Sequence, residues 1–122
     1  MAVSAPKKTT QKLGDQDIVN VFDDVLAVAS SSTATVVSYT VPVGKTFFLL
    51  LAEFGGNNIA TYEVIINNEV EGKKHTYFGG PLNDEIYFGH KKVLGGETVK
   101  IEVENFRPDV GDFFGRILGT LE

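Results

Sequence analysis

Apolar and polar residues alternate with a period of two along most of this chain, and no stretch shows the period of an amphipathic helix. The clearest case is residues 98–104, in which Val99, Ile101 and Val103 alternate with charged residues. This alternation predicts a strand with one packed face and one face in water. Similar segments recur at short intervals between clusters of Gly, Pro and Asn, so we expect about eight strands and an all-β fold.

Strands of this kind pack most naturally as two antiparallel sheets, and we therefore predict an antiparallel β-sandwich, for which jelly-roll order is one arrangement that fits. With 122 residues the chain has the length of a single domain. We place the sandwich domain at residues 18–122. Residues 1–17 show no periodicity, and we predict that they form an extended N-terminal arm.

The strand predicted at residues 46–54 is apolar at both parities, which is typical of a strand covered on both faces. One parity is expected to fill the core and consists of Phe48, Leu50, Ala52 and Phe54. The other parity then needs a cover and consists of Phe47, Leu49 and Leu51. The cover is the chain's own arm, the chain's own segment of residues 18–29, or a neighbouring subunit. We therefore name this second set as candidate partner contacts.

Charge is distributed unevenly along the chain. The net charge is −5, yet residues 1–12 carry Lys7, Lys8 and Lys12 and no acid. Residues 13–122 carry the other 8 of the 11 basic residues and all 16 acidic residues, so their net charge is −8. An acidic body disfavours nucleic-acid binding, whereas a basic arm suits an acidic protein surface. We therefore add the three lysines to the candidate partner contacts.

Candidate catalytic and metal-binding residues are few. The chain has no cysteine, and neither His75 nor His90 has the neighbouring ligands of a zinc site. Residues 83–85 and 109–112 carry oxygen ligands that leave a calcium site open as an alternative, although neither matches a calcium loop. No nucleophile elbow or phosphate loop is present. We expect no enzyme activity, no metal and no cofactor.

Two further sequence features concern sugars and membranes. Tyr77 and Tyr87 are possible platforms for sugar rings, so a carbohydrate-binding module remains an alternative. No signal peptide is visible, and no run approaches the ~20 apolar residues of a membrane span, so we expect no membrane association.

Three segments carry a resemblance to a known class of proteins. Residues 41–46 (VPVGKT), residues 95–105 (GGETVKIEVEN) and the glycine-spaced residues 115–121 (GRILGTL) resemble small β-sandwich virion proteins of tailed bacteriophages. Some of these proteins are capsid decoration, or cement, proteins. The resemblance covers residues 35–122.

This resemblance implies a structural, non-enzymatic role on a virus particle. The expected function is decoration and stabilisation of the phage head, with a neck or tail component as the alternative. The expected partners are the major capsid protein or other virion subunits, and a homo-oligomer is expected, with a trimer favoured. The expected location is the virion, assembled in the host cytoplasm. Residues 1–17 would then reach neighbouring subunits.

Overall fold

The computed structural model describes the backbone of residues 7–13 and 16–122, and the side chains from Asp17 onward. Nine strands occur in this described part: β1 (Lys7–Leu13), β2 (Gln16–Val28), β3 (Ser32–Thr40), β4 (Thr46–Gly56), β5 (Thr61–Ile66), β6 (Glu69–His75), β7 (Asp84–Leu94), β8 (Thr98–Asn105) and β9 (Gly111–Leu121). None of the described segments is a helix of the length and apolarity needed to cross a membrane.

The strands form two antiparallel sheets. One sheet has the order β1-β2-β9-β4-β7 and the other has the order β3-β8-β5-β6. From β2 onward the chain passes from one sheet to the other at every connection except β5 to β6, and this gives the strand order of a jelly roll with β1 added at one edge. The predicted all-β sandwich is confirmed.

The core lies between the sheets and is built from the inward residues of alternating strands, including Val99, Ile101 and Val103 of β8. Tyr62 is at its centre, with its ring stacked on Phe54 at 4.4 Å between centroids and edge-on to Phe113 at 6.2 Å.

The predicted face assignment of β4 is wrong in its first half. Phe47 and Leu49 are fully buried in the core of this chain, whereas Phe48 and Leu50 are only half-buried. The register shifts by one residue between Leu49 and Leu51, which marks a β-bulge. A bulge reverses the side-chain parity, so the core residues beyond it are Ala52 and Phe54, as expected.

Because of the bulge, the candidate partner contacts on β4 do not form one surface. Phe47 and Leu49 expose no area, so they are not available to a partner while the domain is folded. Leu51 is half-buried and lies on the outer face of the sheet. The second sheet of the same chain covers Phe47 and Leu49, whereas no described element covers the outer face that carries Leu51.

The N-terminal segment differs from the expected arm. Residues Lys7–Leu13 form β1, which pairs in register with β2 of the same chain. This pairing satisfies the backbone groups along the free edge of β2. Lys7, Lys8 and Lys12 lie opposite Phe22, Val21 and Asp17 in register, but their side chains fall outside the described residues. Residues 1–6, 14 and 15 also fall outside them.

Two turns show how well local chemistry specifies this fold. Asn67 and Asn68 have φ of 50° and 68° and form the tight hairpin turn between β5 and β6. The turn before β4 spans residues 42–45, since the Lys45 N–H donates to the Pro42 carbonyl at 3.1 Å. Gly44 therefore occupies the position that requires a positive φ, here 85°.

Candidate functional site

The outer faces of the two sheets differ in chemistry. The outer face of the four-stranded sheet is polar, with Ile65 and Val70 as its apolar members, and it consists otherwise of Thr33, Thr35, Ser38, Thr40, Thr61, Glu63, Lys73, His75, Thr98, Lys100, Glu102 and Glu104. The outer face of the five-stranded sheet instead carries apolar and aromatic side chains from four strands. An apolar face that no described element covers is typical of a binding surface.

Strand register arranges this second face in rows that run across β2, β9, β4 and β7. The rows, in that strand order, are Ile18–Thr120–Phe48–Lys92, Asn20–Leu118–Leu51–Tyr87, Phe22–Arg116–Glu53–Glu85, and Asp24–Phe114–Gly55. Apolar residues dominate the second row and charged residues the third. The face therefore presents an apolar strip beside a line of charges.

A cleft opens on this face. We call it the outer-face cleft; its volume is about 510 Å³, and its lining residues are Asn20, Phe22, Asp23, Asp24, Glu53, Phe114, Gly115 and Arg116. Phe22 is half-buried, and Phe114 is 36% exposed. Two phenyl rings thus accompany polar side chains in one concavity, which is the usual composition of a small-ligand site.

Arg116 and Glu53 form the ion pair within the cleft. The Arg116 Nε lies 3.5 Å from the Glu53 Oε1, and both side chains are 36% exposed. This separation is long for a hydrogen bond, and the Nε atom is buried with no hydrogen-bond partner. The guanidinium is therefore neutralised by Glu53 but keeps an unused donor.

The same face holds two unused oxygen atoms. Asn20 Oδ1 and Thr120 Oγ1 are both buried and have no hydrogen-bond partner. Asn20 lines the cleft, and Thr120 lies one row away. A buried polar atom without a partner costs about 1–3 kcal/mol, so these atoms favour a ligand that can complete their hydrogen bonds.

Among the residues whose side chains are described, carboxylates outnumber cations in and beside the cleft. Asp23 is only 9% exposed, and its Oδ1 accepts the Asp24 N–H at 2.8 Å. Asp24 lies opposite Phe114 in register, and Glu85 lies opposite Glu53. Among the described residues no Lys, Arg or His forms an ion pair with Asp23, Asp24 or Glu85.

Gly55 leaves room for the Phe114 ring that lines the cleft. A Cβ at this position would lie 2.8 Å from Cε1 of Phe114 and would also overlap the side chain of Asn83. Because position 55 has no side chain, the Phe114 ring can lie across β4. The glycine at the end of β4 thus has a packing role, in addition to ending the apolar run.

The two segments considered as alternative calcium sites, residues 83–85 and 109–112, have carboxylates that already bind other groups of this chain. Asp84 forms an ion pair with Lys74 at 3.2 Å and accepts the Glu85 N–H. The Asp112 carboxylate accepts the Ala27 N–H at 2.8 Å, and the Asp112 N–H donates to Asn57 Oδ1 at 2.9 Å. Within residues 17–122 no three His, Cys, Asp or Glu side chains are grouped so as to hold a metal ion.

The structure also locates the remaining candidate side chains. His75 Nδ1 lies 2.8 Å from Thr61 Oγ1 on the polar face, and His90 lies edge-on to Phe48 at 6.4 Å. Tyr87 is 71% exposed and ends the apolar row, whereas Tyr77 is 67% exposed in the loop after β6. Of the two predicted sugar platforms, only Tyr87 lies on the same face as the cleft.

Sequence reasoning missed the residues that line the cleft. Phe22, Phe114 and Arg116 were not among the predicted site residues. One signal was available: β2 has apolar residues at both parities, because Ile18 and Phe22 accompany Val19 and Val21. The same argument that singled out β4 therefore also applied to β2.

Comparison with known proteins gives structural likenesses alone. No family model matches the chain, and no curated protein matches it in sequence. One similar structure is the CBM36-1 domain of a multidomain xylanase from the hindgut metagenome of Trinervitermes trinervoides, with a TM-score of 0.45 and 15% identity over 100% of this chain and 90% of that chain. Another is a carbohydrate-binding module CBM36 in complex with calcium and xylotriose, with a TM-score of 0.39 and 14% identity over 100% of this chain and 92% of that chain. No residue role is carried over from either structure.

Proposed function

We propose that this domain is a non-catalytic carbohydrate-binding module that holds an oligosaccharide in the outer-face cleft. One observation carries the proposal. Asn20 Oδ1 and Arg116 Nε, an acceptor and a donor, are buried without partners in a cleft that Phe22 and Phe114 also line. A sugar matches this combination, because its hydroxyl groups both donate and accept while its C–H faces pack on aromatic rings.

The energetic argument rests on the unused polar atoms. A sugar hydroxyl that hydrogen-bonds to Asn20 Oδ1, and another that hydrogen-bonds to Arg116 Nε, would recover the cost of leaving these atoms unpaired. Ring contacts with Phe22 and Phe114 would remove apolar surface from water at roughly 25 cal/mol per Å². The apolar row that ends in Tyr87 extends the contact area beyond the cleft.

The cleft favours binding over hydrolysis because its carboxylate Glu53 is engaged in an ion pair. A glycosidase needs one carboxylic acid free to donate a proton and a second carboxylate across the scissile bond. Glu53 is already paired with Arg116, with its Oε1 3.5 Å from Nε. The cleft is therefore suited to hold a sugar without cleaving it.

A glycan array followed by calorimetry on the full chain tests the proposal. The Phe114→Ala variant should bind the preferred glycan at least fivefold more weakly, since an aromatic contact is worth about 1 kcal/mol. The matched control is Phe106→Ala, because Phe106 is a 46% exposed phenylalanine that does not line the cleft. The proposal fails if no glycan binds, or if both variants bind like the unmodified protein.

We also propose a second candidate function, a virion structural protein, which one observation favours. Tyr77 and Phe78 are 67% and 70% exposed, and Arg107 lies over the Phe78 ring at 4.5 Å. The loops that follow β6 and β8 thus carry exposed aromatic residues and are joined by this Arg107–Phe78 contact. Such a surface suits contact with a capsid protein or with other copies in a trimer.

Attachment to purified phage heads tests this second candidate. Phe78→Ser should abolish co-sedimentation with the heads while leaving the sandwich folded, since the side chain is mostly exposed. Phe114→Ala should co-sediment normally. Equal attachment of the Phe78→Ser variant and the unmodified protein would contradict the proposal.

A further inference from the structure

We infer that the loops after β6 and β8 bind an acidic segment of a partner protein, in which a carboxylate side chain stands next to an apolar one. The surface consists of Tyr77, Phe78 and Arg107 and the small pocket beside Phe78, and we call it the loop-end surface. None of these residues lines the outer-face cleft, so binding here does not depend on sugar binding. The surface rests on the same exposed loops as the second candidate function, but its partner is defined by chemistry and need not be a virion protein.

Arg107 carries a positive charge that no described acid neutralises. The chain has two arginines, and the other, Arg116, is paired with Glu53. The Arg107 guanidinium forms no ion pair or hydrogen bond with any described residue, although Asp109 is exposed only two positions away in sequence. Such a guanidinium is a ready site for a carboxylate, because its planar N–H groups match the two carboxylate oxygens.

The terminal Nη groups of Arg107 are the part of the guanidinium that a ligand can reach. The Nε atom is buried without a hydrogen-bond partner, whereas the Nη atoms, which also have none among the described residues, are not buried. The guanidinium lies over the Phe78 ring, 4.5 Å from its centroid. Contact with the ring favours this position of the cation and leaves both Nη groups able to donate to one carboxylate.

Asn105 fixes the loop that carries Arg107. Its side chain is fully buried, and its Nδ2 donates to the carbonyls of Val28 and Asp109 at 3.0 and 2.8 Å. Its Oδ1 accepts the Arg107 N–H at 3.2 Å. One buried side chain therefore ties the backbone of this loop to the end of β2. Because the loop is already ordered, little ordering entropy opposes the binding of a partner.

A tight turn fixes the backbone of Phe78. The Gly80 N–H donates to the Tyr77 carbonyl at 3.2 Å, and Gly79 has a φ of 81°. These are the features of a β-turn whose third residue requires a positive φ, with Phe78 at the second position. The Tyr77 ring lies against Gly80, where a Cβ would be 3.0 Å from Cε2. The turn thus presents two mostly exposed rings on a backbone of defined conformation.

A pocket of about 300 Å³ adjoins the same turn and suits an apolar side chain. Its apolar lining includes Ile59, Tyr77 and Leu82. Two asparagines also line it, but their oxygen atoms are already used. Asn57 Oδ1 accepts the Asp112 N–H at 2.9 Å, and Asn58 Oδ1 accepts the N–H of the next residue at 3.0 Å. The pocket therefore offers few acceptors to the hydroxyl groups of a sugar, whereas an apolar side chain needs none.

These features favour a protein partner over a free anion. Aromatic residues and arginine are enriched in the centres of protein interfaces. A free carboxylate or phosphate would bind Arg107 and leave the two rings and the pocket in water, whereas a segment with adjacent acidic and apolar side chains contacts all of them. The net charge of the chain is −5, so the contact depends on this local guanidinium and not on long-range attraction.

An array of random peptides probed with the full chain tests the inference. We expect the bound peptides to share an aspartate or glutamate next to a leucine, isoleucine, valine or phenylalanine. Calorimetry then compares the tightest peptide with a peptide that carries asparagine or glutamine in place of the acid. The amide peptide should bind at least tenfold more weakly, because it loses the charge-assisted hydrogen bonds to Arg107.

Variants of the protein locate the binding site. Arg107→Gln should weaken binding of the tightest peptide about tenfold, and Phe78→Leu about fivefold, because the aromatic face is lost. Urea unfolding checks that both variants fold. The matched control is Lys45→Gln, which makes the same change in net charge at an exposed lysine that has no ion pair with a described residue. Lys45 follows β3, at the opposite end of β8 from Asn105, and its variant should bind like the unmodified protein.

Three results would overturn the inference: no peptide binds, the bound peptides share no acid, or Arg107→Gln and Lys45→Gln bind equally well. An acidic glycan whose binding requires Arg107 would also overturn it, because the loop-end surface would then be a sugar site. The outer-face cleft is tested separately by Phe114→Ala. If Phe78→Ser loses attachment to phage heads while no acidic peptide binds, the second candidate function stands and the acidic segment is ruled out.

Discussion

Arg116 and Glu53 lie directly opposite each other on β9 and β4, and their side chains pair across the middle of the outer-face cleft with Nε 3.5 Å from Oε1. Both side chains are 36% exposed, so water screens much of their attraction. Such a pair contributes little to folding. The pair lies between Phe22 and Glu85 in one cross-strand row, which puts it inside the sugar site that we propose.

The first prediction concerns the guanidinium of Arg116. Arg116→Met keeps most of the apolar stem and removes the charge and the hydrogen-bond donors. We expect a change of less than ~1 kcal/mol in the free energy of unfolding, because the pair is exposed. We expect glycan affinity to fall about tenfold, because the unpartnered Nε donor is lost. Urea unfolding and calorimetry measure the two effects.

A matched variant on the other face serves as the control. Lys100 pairs with Glu102 at 3.2 Å on the polar sheet, and Lys100→Met should leave glycan affinity unchanged. A large loss of stability in Arg116→Met with unchanged affinity would show that the ion pair is structural.

The second prediction concerns the buried hydroxyl of Tyr62. This side chain has 0% exposure, and its hydroxyl has no hydrogen-bond partner. Tyr62→Phe keeps the stacked ring and removes the unpaired group, so the free energy of unfolding should rise by about 1 kcal/mol. Tyr87→Phe, at a 71% exposed position, should change it by less than ~0.5 kcal/mol. A destabilised Tyr62→Phe protein would mean that the hydroxyl has a partner in solution.

The same hydroxyl predicts a pH dependence. Burial raises the pKa of Tyr62 well above its ordinary value of 10.0. Above that value the unfolded chain loses the proton while the folded chain keeps it, so the free energy of unfolding falls as pH rises. The advantage of Tyr62→Phe should therefore be constant below about pH 9 and grow above pH 10. Urea unfolding at several alkaline pH values tests this; a constant difference would contradict it.

The fourth prediction concerns the backbone of Ala27. Its φ of 55° lies in the left-handed region, and its N–H donates to Asp112 Oδ1 at 2.8 Å. Ala27→Gly should raise the free energy of unfolding by about 1 kcal/mol, since glycine adopts this conformation without strain. Ala29 does not have a positive φ, so Ala29→Gly relieves no strain and should lower stability slightly. Chemical denaturation compares the two variants, and equal losses would argue against strain at Ala27.

Local patterns predicted the parts of the fold that local chemistry determines. The alternation in residues 98–104 predicts a half-buried strand correctly, because each residue faces the side that its polarity favours. The hairpin turn at Asn67 and Asn68 was predictable because these residues tolerate a positive φ. In both cases the relevant contacts lie within a few residues along the chain.

The bulge in β4 was not predictable from the same pattern. Residues 46–54 are apolar at both odd and even positions, so the pattern does not show which of the two sets faces the core. The choice depends on register with β9 and β7, which come much later in the chain. Asn105 gives a second example, since it begins a polar segment yet is fully buried and donates to the carbonyls of Val28 and Asp109.

The candidate site was also beyond local patterns. Phe22 and Arg116 lie far apart in sequence, and they become neighbours because β2 pairs with β9. Neither an aromatic residue on one strand nor an arginine on another strand indicates a binding site by itself. The two unpaired atoms, Asn20 Oδ1 and Arg116 Nε, are recognisable only when their surroundings are known.

The most direct test of the central claim is a map of backbone amide chemical shifts by NMR during titration with the glycan that binds best. The account predicts that the largest changes occur at Asn20, Phe22, Phe114 and Arg116, on the face formed by β2, β9 and β4. Changes concentrated on the polar face around Glu63 and Glu102, or in the loop of Tyr77 and Phe78, would contradict it.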